Sequence, residues 1–469
     1  MSDLNEENDL ISLQKAQAFQ PFNHLEIVDP CKTGKGILKF SPAQRENYIQ
    51  TYCTSGYQTT FFIPASGAGS RMFEFLFNFL NSDDDYNQGK VERFINHFED
   101  FAFAKKIPAD ILESLKNKEI ILEEFIDYLL NDSGLNLGNL PKGLIPFHSI
   151  GPFVLSPFQS HIVQGVEIAP HRPLFHFTIN NKFSEQIKKE HDIINNLITQ
   201  KVKIEYSVQD PASDAYIFDE NQELVTDKDN IPIRRPSGHG ALLDNLNKLS
   251  GDIIFIKNID NLQHYNKSKT SYDTLRLLAG IAIQIEEERN ELINVFSRKN
   301  FEAFNKKYEI LLESELDSIS DEQIIDIINL PIRVCGMVKN EGEPGGGPFW
   351  LKKDGITRKQ IIEKSQINSK DKQYSLLINS THFNPVLMAL RNADRDGNRF
   401  NLKQLVDEDQ FFHVKKSQKG KKVFFTEKPG LWNGGMYNWL TIFVEIPTEA
   451  FSPVKTILDL LKPIHQENL

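Results

Sequence analysis

Short apolar runs alternate with longer helical stretches along most of the chain, and this alternation constrains the fold more than any other feature of the sequence. The runs are nearly continuous in apolar character, which is typical of strands that are covered on both faces. We therefore expect an α/β fold with a Rossmann-like, mixed but mostly parallel sheet. The predicted strands lie at 59–64, 174–179, 203–208, 253–258, 331–338, 374–379, 423–426 and 441–446.

Two long stretches between these runs have helical periodicity and no residue pattern that indicates catalysis or ligand binding. They cover about residues 73–138 and 265–330, and we interpret both as helical insertions. We expect an N-terminal helical or extended segment over residues 1–58, followed by one catalytic body over 59–469 that contains both insertions.

The charge balance excludes several classes of protein. The 469 residues include 53 Lys plus Arg and 64 Asp plus Glu, which gives a net charge of −11. Coating nucleic acid or anionic membrane needs clustered cations, so neither is an expected partner. The acidic start has no secretory pattern, and no apolar run is long enough to span a bilayer. We expect a cytoplasmic protein.

A glycine-rich turn follows the first predicted strand. Consecutive amides in such a turn form a concave donor surface for phosphate oxygens, and an arginine there adds a bidentate cation. An ordinary strand-to-helix turn uses glycine as well, so both interpretations stay open. The residues of the turn are Gly67, Ala68, Gly69, Ser70 and Arg71.

Two further segments place single charged residues beside the predicted sheet. Lys142 follows Pro141 and precedes an apolar run, so it should emerge from a fixed loop; the alternative is a solvated surface lysine. Asp260 follows a buried strand, at the sheet edge where open α/β sheets bind ligands. Its carboxylate suits Mg²⁺, although it could simply cap the next turn.

The run from Gly238 to Leu262 resembles the Gly-His-Gly…Asn-x-Asp-Asn-Leu signature of UDP-sugar pyrophosphorylases. These enzymes couple a nucleoside triphosphate to a sugar 1-phosphate and release pyrophosphate. Residues 67–72 and 141–146 are similar to the Gly-x-Gly-Thr-Arg and Pro-Lys-x-Leu-x-Pro elements of the wider sugar-nucleotidyltransferase group. Residues 451–461 resemble its Phe-x-Pro-Val-Lys…Asp-Leu-Leu run. The resemblance implies the nucleotide-diphospho-sugar transferase fold, here without a C-terminal β-helix.

The resemblance also implies roles for individual residues. The catalytic cations would be Arg71, Lys142 and Lys455, and Asp260 would hold Mg²⁺. The nucleotide-binding residues would be Gly67, Ala68, Gly69, Ser70, Gln209, Gly238, His239 and Gly240. The sugar-binding residues would be Gly345, Glu363, Asn379 and His382, of which Asn379 and His382 could equally satisfy loop backbone.

The expected reaction is an in-line attack of a sugar 1-phosphate on the α-phosphate of a nucleoside triphosphate, with UTP the expected nucleotide. Catalysis would then consist of positioning and charge neutralisation, without covalent chemistry by the protein. The alternative is a catalytically inactive protein that binds or senses a sugar nucleotide. A small-molecule kinase is disfavoured because the GxxxxGK[ST] sequence is missing.

Overall fold

The structure is a computed structural model, and it describes residues 2–21, 25–81, 87–342, 346–368, 370, 372–418 and 421–467. The chain divides by its contacts into two units, each assembled from three separate stretches. The first unit comprises residues 1–52, 209–254 and 277–446, and the second comprises 53–208, 255–276 and 447–469. Most of the predicted N-terminal segment thus belongs to the first unit.

The helices account for most of the length between the strands. None of those in the described part of the chain combines the length and apolar content that a membrane crossing requires. They are α1 (Ser2–Phe19), α2 (Pro42–Cys53), α3 (Glu74–Asn81), α4 (Gln88–Asn96), α5 (Ala109–Lys116), α6 (Leu122–Leu130), α7 (Pro157–Ile168), α8 (Ser184–Leu197), α9 (Leu243–Asn247), α10 (Lys269–Asn294), α11 (Arg298–Tyr308), α12 (Asp321–Ile328) and α13 (Tyr374–Ile378).

The strands are mostly short. They are β1 (Glu26–Pro30), β2 (Lys32–Thr33), β3 (Gly36–Leu38), β4 (Thr59–Pro64), β5 (His148–Ile150), β6 (Phe153–Leu155), β7 (Leu174–Ile179), β8 (Lys203–Val208), β9 (Ala215–Tyr216), β10 (Arg234–Arg235), β11 (Ile253–Lys257), β12 (Ile332–Lys339), β13 (Gly347–Lys353), β14 (Ile356–Ile362), β15 (His382–Phe383), β16 (Leu387–Arg391), β17 (Phe412–Gln418), β18 (Lys421–Glu427) and β19 (Leu440–Glu445).

The second unit contains the neighbouring strands β4, β7 and β8, which run parallel, together with residues 255–257 of β11. All six residues of β7 are buried, as expected for a strand covered on both faces. Phe61 of β4 stacks on Phe175 of β7 with ring centroids 5.1 Å apart. The predicted strands at 59–64, 174–179 and 203–208 are confirmed.

The first unit contains the strand order β2-β3-β19-β12-β16. The pairs β2–β3, β3–β19 and β19–β12 are parallel, while β16 and the short β15 run antiparallel to β12. The predicted mixed, mostly parallel sheet is therefore confirmed. A separate antiparallel sheet, β1-β13-β14, packs its apolar side chains in the same unit.

Both predicted insertions are helical. The first contains α3 to α6 joined by 3-10 turns, and the second contains most of α10 together with α11 and α12. The first insertion has a core of phenylalanines in mutual contact. Its members are Phe94, Phe98, Phe101, Phe103 and Phe125.

The predicted strand at 374–379 is wrong, because this segment forms helix α13. An apolar run of six residues does not distinguish a strand from a buried helical turn by periodicity alone. One helical turn places Tyr374 and Leu377, three residues apart, against the apolar cluster of the β1-β13-β14 sheet.

Gly280 in α10 gives a test of the packing in the first unit. A Cβ at this position would overlap the backbone carbonyl oxygen of Tyr48. This atom belongs to the main chain, so it cannot move aside by a side-chain rotation. Gly280→Ala is expected to lower the free energy of unfolding by roughly 1–3 kcal/mol or more. Chemical denaturation measures the change. Gly89→Ala, in α4 with open space around the added methyl, is the control and should be neutral or slightly stabilising. Equal effects of the two substitutions would contradict this packing.

Candidate functional site

The glycine-rich turn and the lysine loop are joined by backbone hydrogen bonds in the second unit. The Gly69 N–H donates to the Leu140 carbonyl at 2.9 Å, and the Lys142 N–H donates to the Gly67 carbonyl at 3.1 Å. A Cβ on Gly69 would lie 2.7 Å from the Leu140 oxygen, so this close approach requires glycine, whereas Gly67 has open space. The two predicted phosphate loops therefore form one structure.

One detail of the predicted phosphate cradle needs correction. The amides of Gly67 to Ser70 were expected to face a ligand, but the N–H of Gly69 is used by Leu140. Arg71 lies exposed on the 3-10 turn Ser70–Phe73, where its side chain is accessible to a ligand.

Lys142 and Asp260 form an ion pair. The Lys142 Nζ lies 2.8 Å from the Asp260 Oδ2, and both side chains are 19% exposed. Because the pair is largely but not fully buried, its charges are less screened than those of a surface pair and remain reachable by a ligand.

The segment that carries Lys455 is bound to the loop of Asp260. The Val454 N–H donates to the Asp260 carbonyl at 3.0 Å, and the Ser452 N–H donates to the Asn261 Oδ1 at 3.0 Å. Lys455 itself is exposed. Four sequence motifs that are far apart along the chain therefore converge within the second unit.

Asp260 is the predicted metal ligand, and no group of three or more His, Cys, Asp or Glu side chains among the described residues could hold a metal ion. Mg²⁺ commonly takes only one or two protein carboxylates and completes its shell with water and substrate phosphates. A single carboxylate beside the glycine-rich turn is compatible with that mode of binding.

A buried lysine lies directly before this loop, and sequence reasoning did not select it. Lys257 ends β11 and is only 3% exposed, and its Nζ lies 3.5 Å from the Gln164 Oε1. Burial lowers its pKa from 10.5 to about 7. The available signal was a lysine that closes an uninterrupted apolar strand.

A second cluster lies in the first unit around His239. The ring stacks on Trp432 at 4.0 Å between centroids, and its Nδ1 accepts a hydrogen bond from the Leu431 N–H at 2.9 Å. The neutral ring therefore carries its proton on Nε2. That atom lies 3.6 Å from the Glu363 Oε1, so a predicted nucleotide-binding residue and a predicted sugar-binding residue are neighbours.

Glu363 is held in its ionised form. Burial alone would raise its pKa, but His239 and a hydrogen bond from the Trp432 indole, at 3.3 Å, bring the pKa below the ordinary value. Glu427, which sequence reasoning missed, behaves in the opposite way. Burial and the nearby Glu363 raise the pKa of Glu427 in spite of Lys416 and His239. The cluster thus contains two carboxyl groups with opposite pKa shifts.

The glycines of the Gly-His-Gly turn are required by close packing in this cluster. Gly238 has a φ of +69°, and a Cβ there would overlap the carboxylate of Glu427. A Cβ on Gly240 would overlap the carbonyl of Pro429. These contacts explain why the motif has glycine at both positions, and they do not identify a ligand.

The remaining predicted residues have varied surroundings. His382 is buried, with its Nε2 3.5 Å from the Glu445 Oε2, and Glu445 is also paired with Lys39 at 2.8 Å. Asn379 is exposed at the end of α13, and Gln209 is half-buried after β8. Gly345 lies outside the described residues.

The described residues define an α/β protein whose second unit brings together the glycine-rich turn, Lys142, Asp260 and the segment of Lys455. Residues 2–466 match the model of the family described as "Domain of unknown function (DUF4301)", and the chain belongs to that family. No curated protein matches the chain by sequence.

Two solved structures are among those similar to this chain. A mutant of UDP-glucose pyrophosphorylase from Leishmania major has 14% identity and a TM-score of 0.43, with 93% of this chain and 70% of that chain covered. UDP-glucose phosphorylase from Trypanosoma brucei also has 14% identity and a TM-score of 0.43, with 93% and 69% covered.

Lys257 predicts a specific pH dependence of stability. Its native pKa is about 7 and its ordinary value is 10.5, so between these pH values the unfolded chain binds a proton that the native state lacks. Stability should therefore rise with pH across this window, by up to about 1.4 kcal/mol per pH unit. Lys257→Met removes this contribution, so its stability relative to the wild type should be greatest near pH 7 and decline toward pH 10.

Chemical denaturation at several pH values measures the difference, with the exposed Lys269→Met as control. Parallel curves for wild type and Lys257→Met would contradict the assignment.

Proposed function

We propose that this protein is a nucleoside triphosphate:sugar-1-phosphate nucleotidyltransferase of the UDP-sugar pyrophosphorylase type. A phosphate oxygen of the sugar 1-phosphate attacks the α-phosphorus in line, a new P–O bond forms, and the bond to the leaving pyrophosphate breaks. The observation that carries the proposal is the convergence in the second unit of the glycine turn, Lys142, Asp260 and the segment of Lys455.

We assign each cation to a phosphate group according to its position. Arg71 is exposed beside the glycine turn and is assigned to the β- and γ-phosphates. Lys142 and Lys455 are assigned to the α-phosphate and the sugar phosphate, because both are attached to the loop of Asp260. Their task is to hold the two phosphates in line and to neutralise the charge that develops during transfer.

Asp260 is the residue that would hold Mg²⁺. Its carboxylate is a hard oxygen donor that would be shared between the metal ion and Lys142, which lies at Oδ2. When bound, Mg²⁺ would supply positive charge to the phosphate oxygens.

The His239 cluster is proposed to recognise polar groups of the sugar or the nucleotide. Glu363 is an ionised acceptor, the His239 Nε2–H is a donor beside it, and Trp432 supplies an apolar face for a ring. Such a combination suits hydroxyl groups on a flat or puckered ring. Gln209, Asn379 and His382 are assigned to binding the same substrates, and UTP is the expected nucleotide.

The function is tested by incubating the protein with Mg²⁺, each common nucleoside triphosphate and a panel of sugar 1-phosphates, and measuring pyrophosphate release. We expect turnover with at least one pair, with UTP the preferred nucleotide. Asp260→Asn and Lys142→Met should each lower kcat by roughly 10²-fold or more without loss of folding. Asp273→Asn removes a carboxylate of the same unit that is paired with Lys269 at 2.5 Å, and it should retain full activity.

Two outcomes would contradict the proposal. Near-normal turnover of Asp260→Asn would exclude the assigned role of that carboxylate. Silence of the wild type across the whole panel, combined with saturable nucleotide binding, would favour the alternative of an inactive protein that binds or senses a sugar nucleotide.

Glu363 gives a separate prediction about substrate recognition. Glu363→Gln keeps the shape of the side chain but removes its charge, so one half-buried acceptor for a hydroxyl group is weakened. We expect the KM for the sugar 1-phosphate to rise by roughly tenfold or more, with a smaller change in the KM for the nucleotide. Steady-state kinetics with each substrate varied in turn measures both. The exposed Glu302→Gln is the matched control, and unchanged KM values in Glu363→Gln would exclude the role.

A further inference from the structure

Arg333, the second residue of β12, is a fully buried cation to which the proposed reaction assigns no role. Burial lowers its pKa to about 10, so the guanidinium is still charged at pH 7. Its three hydrogen bonds within the described part of the chain all go to uncharged groups. Burying a charge without a counter-charge is costly, so a role that a neutral side chain cannot supply is indicated.

The guanidinium of Arg333 joins three segments of the first unit. Its Nε donates to the Thr441 Oγ1 on β19 at 2.7 Å. Its Nη2 donates to the Gln360 Oε1 on β14 at 2.9 Å, and its Nη1 donates to the Trp432 carbonyl at 2.8 Å. Because the donors of a guanidinium lie in one rigid plane, they fix the three acceptors relative to one another. A lysine ammonium on a flexible stem lacks this geometry.

Residues 432–437, which we call the Trp432 loop, are attached to β14 by buried side chains. Arg333 holds the first residue of the loop, and the Gln360 amide holds the last one, because its Nε2 donates to the Tyr437 carbonyl at 2.9 Å. Between them, the fully buried Asn433 donates from its Nδ2 to the Ile361 carbonyl at 2.8 Å. Arg333 and Gln360 are bonded to each other, so both ends of the loop are fixed by one pair of side chains.

The same attachment sets the position of Trp432 relative to Glu363, which directly follows β14. The Trp432 indole N–H donates to the Glu363 Oε1 at 3.3 Å. The face of the indole lies on the His239 ring, with 4.0 Å between centroids and 14° between the planes. Trp432 is only partly buried, so the groups that the loop positions are accessible to a ligand.

We propose that Arg333 is a positioning residue for the His239 cluster. By holding the Trp432 loop against β14, it keeps the indole on the His239 ring and the indole N–H on Glu363, and it thereby determines the surface that recognises the ring of the substrate. The inference rests on the proposed function for the identity of that substrate, a sugar 1-phosphate. The positioning itself is a property of the first unit, and Arg333 acts through Trp432 without touching the ligand.

The positioning is tested without turnover, by NMR of the full chain labelled with ¹³C-histidine. A ring that lies on the face of an indole has its protons shifted upfield by the ring current. The His239 signals, identified by their loss in His239→Gln, should therefore lie upfield of those of the exposed His97. Trp432→Leu should abolish this upfield shift, and Arg333→Met should remove most of it.

Two control variants separate positioning from a general loss of stability. Thr441→Val removes the acceptor of the Arg333 Nε and leaves the bonds to the Trp432 loop in place. Arg289→Met removes another fully buried arginine of the first unit, which donates to the Leu330 carbonyl at 3.0 Å. Both variants should keep the upfield shift of His239. Gln360→Met should lose it as Arg333→Met does, and it decides the question if Arg333→Met does not fold.

In the turnover assay, Arg333→Met should raise the KM for the sugar 1-phosphate by roughly tenfold or more, with little change in the KM for the nucleotide. An upfield shift of His239 that persists in Arg333→Met or, if that variant does not fold, in Gln360→Met would overturn the proposal. Its equal loss in Thr441→Val or Arg289→Met would do the same, and so would an unchanged KM in an Arg333→Met enzyme that has lost the shift. A wild type without turnover, together with loss of the shift in Arg333→Met alone of the three arginine and threonine variants, would contradict the proposed function and support the positioning role.

Discussion

The ion pair between Lys142 and Asp260 is the interaction on which the candidate site depends. A lysine and a carboxylate that are both largely buried stabilise each other only while both loops stay in place. Each loop is in turn fixed by backbone pairing, that of Lys142 to Gly67 and that of Asp260 to Val454. The result is a group of cations and one carboxylate held in position by main-chain hydrogen bonds, as the proposed phosphoryl transfer would require.

The two units have different chemical characters. The second unit presents cations beside a glycine turn, whereas the cluster in the first unit consists of carboxylates, an imidazole and an indole. Cations beside a glycine turn are suited to phosphate groups, whereas carboxylates, an imidazole and an indole are suited to rings that carry hydroxyl groups. A net charge of −11 is compatible with a phosphate-handling protein, because the relevant cations are few and local.

The sequence predicted the buried parallel strands well because such strands are continuous apolar runs with clear ends. The bounds of β4 and β7 agree with those predicted, and so do those of β8, although β8 is a partly exposed edge strand. The segment 374–379 was mispredicted because one apolar turn of helix α13 has the same composition as a short strand. The local sequence pattern identified strands that are buried on both faces. It did not distinguish helix from strand where tertiary contacts determine the structure.

Within the site, single motifs were predictable and their contacts were not. The sequence indicates Lys142, Asp260 and His239 as separate signals, but the pairing of His239 with Glu363 depends on segments more than a hundred residues apart. The pKa of Glu427 and the burial of Lys257 result from three-dimensional packing. The engagement of the Gly69 amide by Leu140 could not be predicted for the same reason.

The central claim is that the second unit transfers a nucleotidyl group between pyrophosphate and a sugar phosphate. Its most direct test is the reverse direction: the protein is incubated with Mg²⁺, a set of UDP-sugars and radiolabelled pyrophosphate, and the label is followed by chromatography. Labelled UTP should appear with the wild type and not with Asp260→Asn. If a UDP-sugar binds saturably to the folded wild type and no label enters any nucleotide, the claim is contradicted.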